Sequence, residues 1–353
     1  MAAPSLRRIA YHTLQQGKTL AGLAHKELST KLMEVFAPEA GIGDFPIDQD
    51  LIKEVRRSME RLEKIDWEEA EAGIYPKSQL FEAPWLEWAK KYPLVWIDMP
   101  KTWERRKKNK TREIPREVKE EDYPNYYLQN FHHQTDGYLS KHSAEIYDLQ
   151  VEILFNGTAD SMRRRVLAPL KRGLNRFSSQ ESKKVKVLDI ATGTGRTLQQ
   201  IQSAFPELEL YGLDLSGSYL KQASKYLSSR SGDLVQLTKG NAEKMPYGSN
   251  IFQALTCVFL FHELPRDARQ NVLNECFRLL EPGGTLVLAD SIQIEDSPKF
   301  TPIMENFHKI FHEPFYRDYI VDDISLRLEQ SGFSSISSES HFMTKVWKAN
   351  KPI

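Results

Sequence analysis

The chain has 353 residues, with 48 basic and 48 acidic side chains, so no net field recruits nucleic acid or an anionic surface. A chain this long buries a sizeable core without covalent staples. Its two cysteines, Cys257 and Cys276, form neither a disulfide framework nor a metal signature. Two reduced thiols fit a reducing compartment, and no metal centre is expected. No stretch approaches the roughly 18 apolar residues of a membrane span. The start lacks a secretory signal. A cytoplasmic location is expected; small residues and the pair Arg7/Arg8 keep an organelle stroma as the alternative.

Residues 1–72 read as helical, with an apolar stripe of Leu14, Leu20, Leu23, Leu28, Leu32 and Val35. A break at Pro38–Pro46 precedes a second helix capped by Asp48. Trp85, Trp88 and Trp96 are expected to form a satellite core, and the charged run 101–119 a solvated linker or helix face. The segment 123–140 concentrates aromatics, amides and two adjacent histidines. A helix is expected over Ala144–Leu154, closed at Asn156-Gly157, and another near Asp160. Beyond Lys184 short apolar runs alternate with amphipathic helices. Strands are predicted at Val185–Ile190, Glu209–Leu213, Leu234–Thr238, Ala254–Phe259, Thr285–Ala289, Ser334–Ser340 and Phe342–Ala349. Helices are predicted at Thr194–Phe205, Ser218–Leu227, Arg266–Leu280 and Ile320–Gln330. The pattern predicts an α/β fold: a Rossmann-like, doubly wound, mainly parallel seven-stranded sheet with a mostly helical N-terminal extension.

The sharpest local signal is Val187-Leu-Asp-Ile-Ala-Thr-Gly-Thr-Gly-Arg196. A buried strand ends in Asp189, and a turn with Gly193 and Gly195 opens a helix, so backbone can approach a ligand closely. Asp214 ends the next strand, where a carboxylate suits a ribose diol. A dinucleotide fingerprint would need a third glycine where Leu198 stands, and Asp189 disfavours an anionic pyrophosphate. Gly240-Asn-Ala-Glu-Lys-Met-Pro-Tyr247 follows the third strand, where an amide can read an adenine edge.

In these motifs residues 185–290 resemble class I S-adenosylmethionine-dependent methyltransferases. The nearest flavour is the ubiquinone/menaquinone-biosynthesis C-methyltransferase type, to which Ser143-Ala-Glu-Ile-Tyr-Asp148, Gly157 and Arg163–Arg165 add. The resemblance implies S-adenosylmethionine as cofactor and S-adenosylhomocysteine as product. It implies a cofactor site of Tyr147, Asp189, Ala191, Thr192, Gly193, Thr194, Gly195, Asp214, Leu215, Asn241, Ala242 and Phe259. Ala191 stands where the family has a glycine, tolerable if its φ is negative. Asn241 stands for an aspartate and keeps an acceptor oxygen. The first 140 residues match no domain of the family.

Methyl transfer from a sulfonium needs orientation, and a base only if the acceptor loses a proton. His262 and Glu263, after the fourth strand, and His133 are the expected catalytic groups. Tyr127, His132, His133, Tyr138 and His262 are expected to meet the acceptor. The chain divides into a helical lid and substrate region, 1–140, and a cofactor domain, 141–353. The acceptor is a small molecule of quinone, prenyl-lipid or other secondary-metabolite type rather than nucleic acid. The alternative is a non-catalytic scaffold that keeps the nucleotide site.

Overall fold

A computed structural model describes residues 5–41, 48–177, 184–229 and 233–353. The first four residues and positions 42–46 of the predicted 38–46 break lie outside them.

Helices α1 (Leu6–Phe36) and α2 (Gln49–Glu71) occupy the N-terminal region, and Asp48 caps α2 by accepting from the Leu51 N–H at 2.6 Å. The apolar stripe expected to bury α1 does not do so. Leu20 is 68% and Val35 72% exposed, while Tyr11, Gln15, Gly22 and His25 face inward. The buried face is polar because its partners are polar. Tyr11 Oη donates to Asp66 at 2.6 Å, Lys18 pairs with Glu152, and Lys26 Nζ donates to the Leu154 carbonyl and Asn156 Oδ1, both at 2.8 Å. Buried without those partners, the groups would each cost several kcal/mol, roughly 2–7 for a neutral one.

Helix α3 (Trp85–Lys107) runs through Pro93 and Pro100, residues that normally break a helix. Its Trp88 and Val95 pack on Ile146 and Leu149 of α4 (Lys141–Leu154). Of the three tryptophans expected in a satellite core only Trp88 joins it, since Trp85 is 42% exposed and Trp96 lies against His25 of α1. The charged run at its end is less solvated than expected. Arg105 is buried, donating from Nε to the His133 carbonyl at 2.8 Å and from Nη2 to Thr135 Oγ1 at 2.6 Å.

Helices α5 (Ala159–Arg164) and α6 (Leu167–Leu174) lead into the sheet. Its first strands are β1 (Lys186–Ile190), β2 (Glu209–Asp214) and β3 (Gln236–Lys239). These are followed by β4 (Phe252–Val258), β5 (Leu280–Ser291), β6 (Ser334–His341) and β7 (Thr344–Asn350). The order is β3-β2-β1-β4-β5-β7-β6, parallel from β3 to β5, with β7 antiparallel to both neighbours. The fold class is as read from the sequence. Between the strands lie α7 (Arg196–Ala204), α8 (Gly217–Ser228) and α9 (Arg266–Leu279). After β5 come α10 (Thr301–Ile310), α11 (Tyr316–Tyr319) and α12 (Ile324–Gln330); the first two were not anticipated.

The N-terminal helices share a core with the sheet. Tyr11, Trp67, Tyr75 and Leu80 join one cluster with Val187, Ile201 and Leu210. At its edge Asp66, fully buried, binds Arg164 Nε at 2.8 Å and contacts the guanidinium of Arg165.

Candidate active site

A cavity opens at the carboxyl ends of the parallel strands, at the reversal of strand order between β1 and β4. Ala191, Thr192, Gly193 and Thr194 line it from the turn after β1, Asp214 and Leu215 from β2, and Asn241 and Ala242 from beyond β3. Phe259, Leu260 and Glu263 line it after β4. The opposite wall holds Tyr126, Tyr127, Tyr138, Tyr147, Arg163 and Tyr219.

The two turn glycines do different work. Gly193 has φ +56°, and a Cβ added there would meet nothing within 4 Å, so that backbone faces free space. Gly195, at φ +84°, would press a Cβ to 3.2 Å from Ala223 on α8, so it serves helix packing. Ala191 has φ +55°, against the expectation of a negative angle, and carries left-handed strain a glycine would not. The turn holds it there because the Thr192 N–H donates to the Leu213 carbonyl at 3.0 Å.

Asp214 accepts from the Gly193 N–H at 2.8 Å and the Ser216 N–H at 2.7 Å, which aims it at the cavity. Burial raises its pKa to about 6, against those backbone bonds. Asp189 differs from expectation, because it lies behind the turn and outside the cavity lining. It accepts from Thr256 Oγ1 at 2.6 Å, and burial pushes it up to about 7. Asn241 Oδ1 accepts from the Glu243 N–H at 2.9 Å and keeps a lone pair for a ligand. Thr194 donates at 2.6 Å to Asp148, a half-buried carboxylate that the sequence motif contained but to which it gave no role. The open space at Gly193, with carboxylate and amide groups at successive strand ends, fits an adenosine joined to an amino acid.

Next to Glu263 lies an acid–base cluster. His262 Nδ1 lies 2.6 Å from Asp290 Oδ1, a buried residue at the end of β5. Burial lowers the His262 pKa, but Asp290 outweighs it and the net value rises to about 9. His262 is therefore a cation at neutral pH, and it stands behind the lining rather than in it. Glu263 does line the cavity and accepts from Tyr138 Oη. Its Oε1 is 3.5 Å from His132 Nε2 and 3.9 Å from His262 Nε2. His132 Nδ1 in turn lies 3.1 Å from Glu313 Oε1. His132, Glu263 and Glu313 each offer an atom within 4.8 Å of the others, a spacing that also suits a cation.

His133 was expected in catalysis and acceptor binding, but its side chain turns away. It faces His312, ring to ring at 6.0 Å, and lies outside the cavity lining. Burial, and then His312 and Arg106, lower its pKa to about 4. Neither His132 nor His262 lines the cavity either, whereas Tyr127 and Tyr138 do. Asp290 was readable as an acid ending a strand. Glu313 sits in a stretch with no motif, and nothing in the sequence marked it.

A family model described as a methyltransferase domain matches residues 187–284. A demethylmenaquinone methyltransferase from Thermotoga maritima is 33% identical over 172 residues, 49% of this chain and 68% of that one. A protein of the same description from Lactiplantibacillus plantarum is 27% identical over 227 residues, 56% of this chain and 91% of its own. Among solved structures, human N-acetylserotonin methyltransferase with S-adenosylmethionine is 14% identical. It covers 61% of this chain and 57% of its own, at a TM-score of 0.47.

Proposed function

Because the chain belongs to the class I S-adenosylmethionine-dependent methyltransferases of the ubiquinone/menaquinone-biosynthesis C-methyltransferase type, we propose that its acceptor is a reduced quinone or a similar ring with an ionisable hydroxyl. One observation carries this reading: Glu263, at the cavity wall, faces a cleft walled by Tyr126, Tyr127, Tyr138 and Tyr147. Aromatic walls with a few placed polar groups suit a flat organic ring. The demethylmenaquinone methyltransferases that the chain resembles support the same chemical class.

S-adenosylmethionine, when bound, supplies a methyl carbon made electrophilic by its sulfonium. Asp214 would hold the ribose hydroxyls, Asn241 and Ala242 the adenine edge, and the turn from Ala191 to Gly195 the amino-acid end. Tyr147 and Phe259 line the same cavity. Transfer to a neutral acceptor releases one proton whichever atom is methylated. Glu263 takes it from the ring hydroxyl, leaving a phenolate whose charge spreads onto ring carbons. Tyr138 orients Glu263, and the His262–Asp290 pair presents a fixed cation beside it. Residues 1–140 act in this reading as lid and substrate region, with Tyr126, Tyr127 and Tyr138 as their contribution to the wall, and 141–353 as the cofactor domain. Among the described residues no helix is long and apolar enough to cross a membrane.

The test offers 1,4-dihydroxynaphthalene and its dimethyl ether with labelled S-adenosylmethionine under reducing conditions. Transfer to the diol alone is expected. Equal transfer to the ether, or none to the diol from cofactor-saturated protein, would overturn the proposal.

A further inference from the structure

Behind Glu263 stands a second carboxylate that no step above uses. Glu313 follows α10, is 1% exposed, and neither of its oxygens makes a hydrogen bond. It faces His132 Nδ1 at 3.1 Å, and the other ring nitrogen faces Glu263. The ring is held there deliberately. His132 has φ +56°, its N–H donates to the His312 carbonyl at 3.2 Å, and His312 Nε2 meets Gln129 Oε1 at 2.8 Å. Phe307 and Phe311 pack edge-on against the imidazole, which keeps about 20% of its side-chain surface exposed.

Resting on the proposed role of Glu263 as base, we infer that His132 and Glu313 form a charge switch that lets Glu263 take the acceptor's proton without leaving a net charge in the cluster. At rest an imidazolium lies between two carboxylates, a buried group with one net negative charge. When the acceptor O–H breaks and a Glu263 O–H forms, the His132 Nδ1–H passes to Glu313. The imidazole is then neutral, both carboxyls are protonated, and the gained proton has cancelled the buried charge. The switch reopens to solvent on product release. An isolated Glu263–His132 pair would instead become a buried cation on taking the proton, which low dielectric penalises. His132 and Glu313 are positioning residues here; only Glu263 meets the acceptor.

Other charged groups face the switch. His262, ion-paired with Asp290 beside Glu263, repels a charged His132, Tyr138 donates to Glu263, and a charged His132 in turn lowers His312. Burial lowers the His132 pKa, but Glu313 and Glu263 raise it overall, and burial raises that of Glu313. The raised His132 favours the resting imidazolium, and the raised Glu313 favours the protonated carboxyl of the discharged state.

The test compares full-length wild type, Glu313→Gln and Glu313→Asp. Nitrogen-15 NMR of the histidines, on the S-adenosylhomocysteine complex without acceptor, reads the switch directly. The His132 midpoint should fall by about one pH unit or more in Glu313→Gln and by less in Glu313→Asp. With 1,4-dihydroxynaphthalene, kcat at pH 7 should fall about tenfold in Glu313→Gln. It should recover as pH rises and His132 loses its proton, while KM and cofactor affinity stay unchanged. An unmoved His132 midpoint would overturn the switch, as would a loss of kcat uniform across pH. Activity abolished by EDTA and restored by a divalent metal would replace the proton with a cation and overturn it as well. A wrong acceptor class would void the kinetic arm alone, since the NMR arm needs no acceptor.

Discussion

Replacing Asp66 by alanine tests whether the N-terminal helices are part of the folded unit. The carboxylate is fully buried and receives Tyr11 Oη at 2.6 Å, Tyr75 Oη at 2.7 Å and Arg164 Nε at 2.8 Å, with Arg165 against its other side. Removing it leaves Arg164 without a carboxylate and Arg165 with Glu69 alone, at 2.9 Å, and both guanidinium groups are about 98–100% covered. Breaking a buried ion pair from one side costs about 3–5 kcal/mol. The same fall is expected in the unfolding free energy of Asp66→Ala by urea titration. The pH dependence has a definite sign. Burial would raise this carboxyl, but Arg164 and Arg165 outweigh it and hold it well below its ordinary 3.8. Its contribution is therefore complete above that ordinary value and is lost as pH falls through the depressed one. The difference between wild type and variant should be flat from about pH 8 to 5 and shrink below about pH 4. A loss under about 1 kcal/mol, or a difference that grows on acidification, would refute the reasoning.

Ala191→Gly should raise the melting temperature slightly, because about 1–2 kcal/mol of left-handed strain exceeds the roughly 0.5–1 kcal/mol of added chain entropy; a lower melting temperature would contradict this. Asp214→Ala should weaken S-adenosylmethionine by about 1–3 kcal/mol in calorimetry with the fold intact. Gly193→Val should abolish cofactor binding with a smaller loss of stability than Gly195→Val, since only the latter side chain meets α8; reversed stabilities would undo that division of labour. Asp290→Asn should move the His262 midpoint from about 9 down toward its ordinary 6.5, read by nitrogen-15 NMR.

The sheet was legible because each strand carries its own local mark: a short apolar run, a turn, and an acid or glycine where the chain leaves the sheet. The turn from Ala191 to Gly195, Asp214 and Asn241 could be placed for the same reason. What depended on distant partners could not. The inward face of α1 is polar because Asp66, Glu152 and Asn156 wait for it, 55 to more than 130 residues away. Helix α3 survives two prolines because Trp88 and Val95 are gripped by α4. The positive φ of Ala191 follows from a bond to the next strand, and Asp189 ties the end of β1 to β4 through Thr256. The adjacent histidines suggested one shared role, but a left-handed kink at both sends His132 toward Glu263 and His133 away from it. Glu313 met them only through tertiary packing.

The central claim is transfer of a methyl group to a ring whose hydroxyl proton passes to Glu263. The most direct measurement is mass-spectrometric turnover of 1,4-dihydroxynaphthalene by wild type and Glu263→Gln at saturating S-adenosylmethionine. The account predicts one added methyl group with wild type, and a kcat lower by about 10²–10⁴-fold in the variant at unchanged cofactor affinity. Turnover of the variant at the wild-type rate would contradict it.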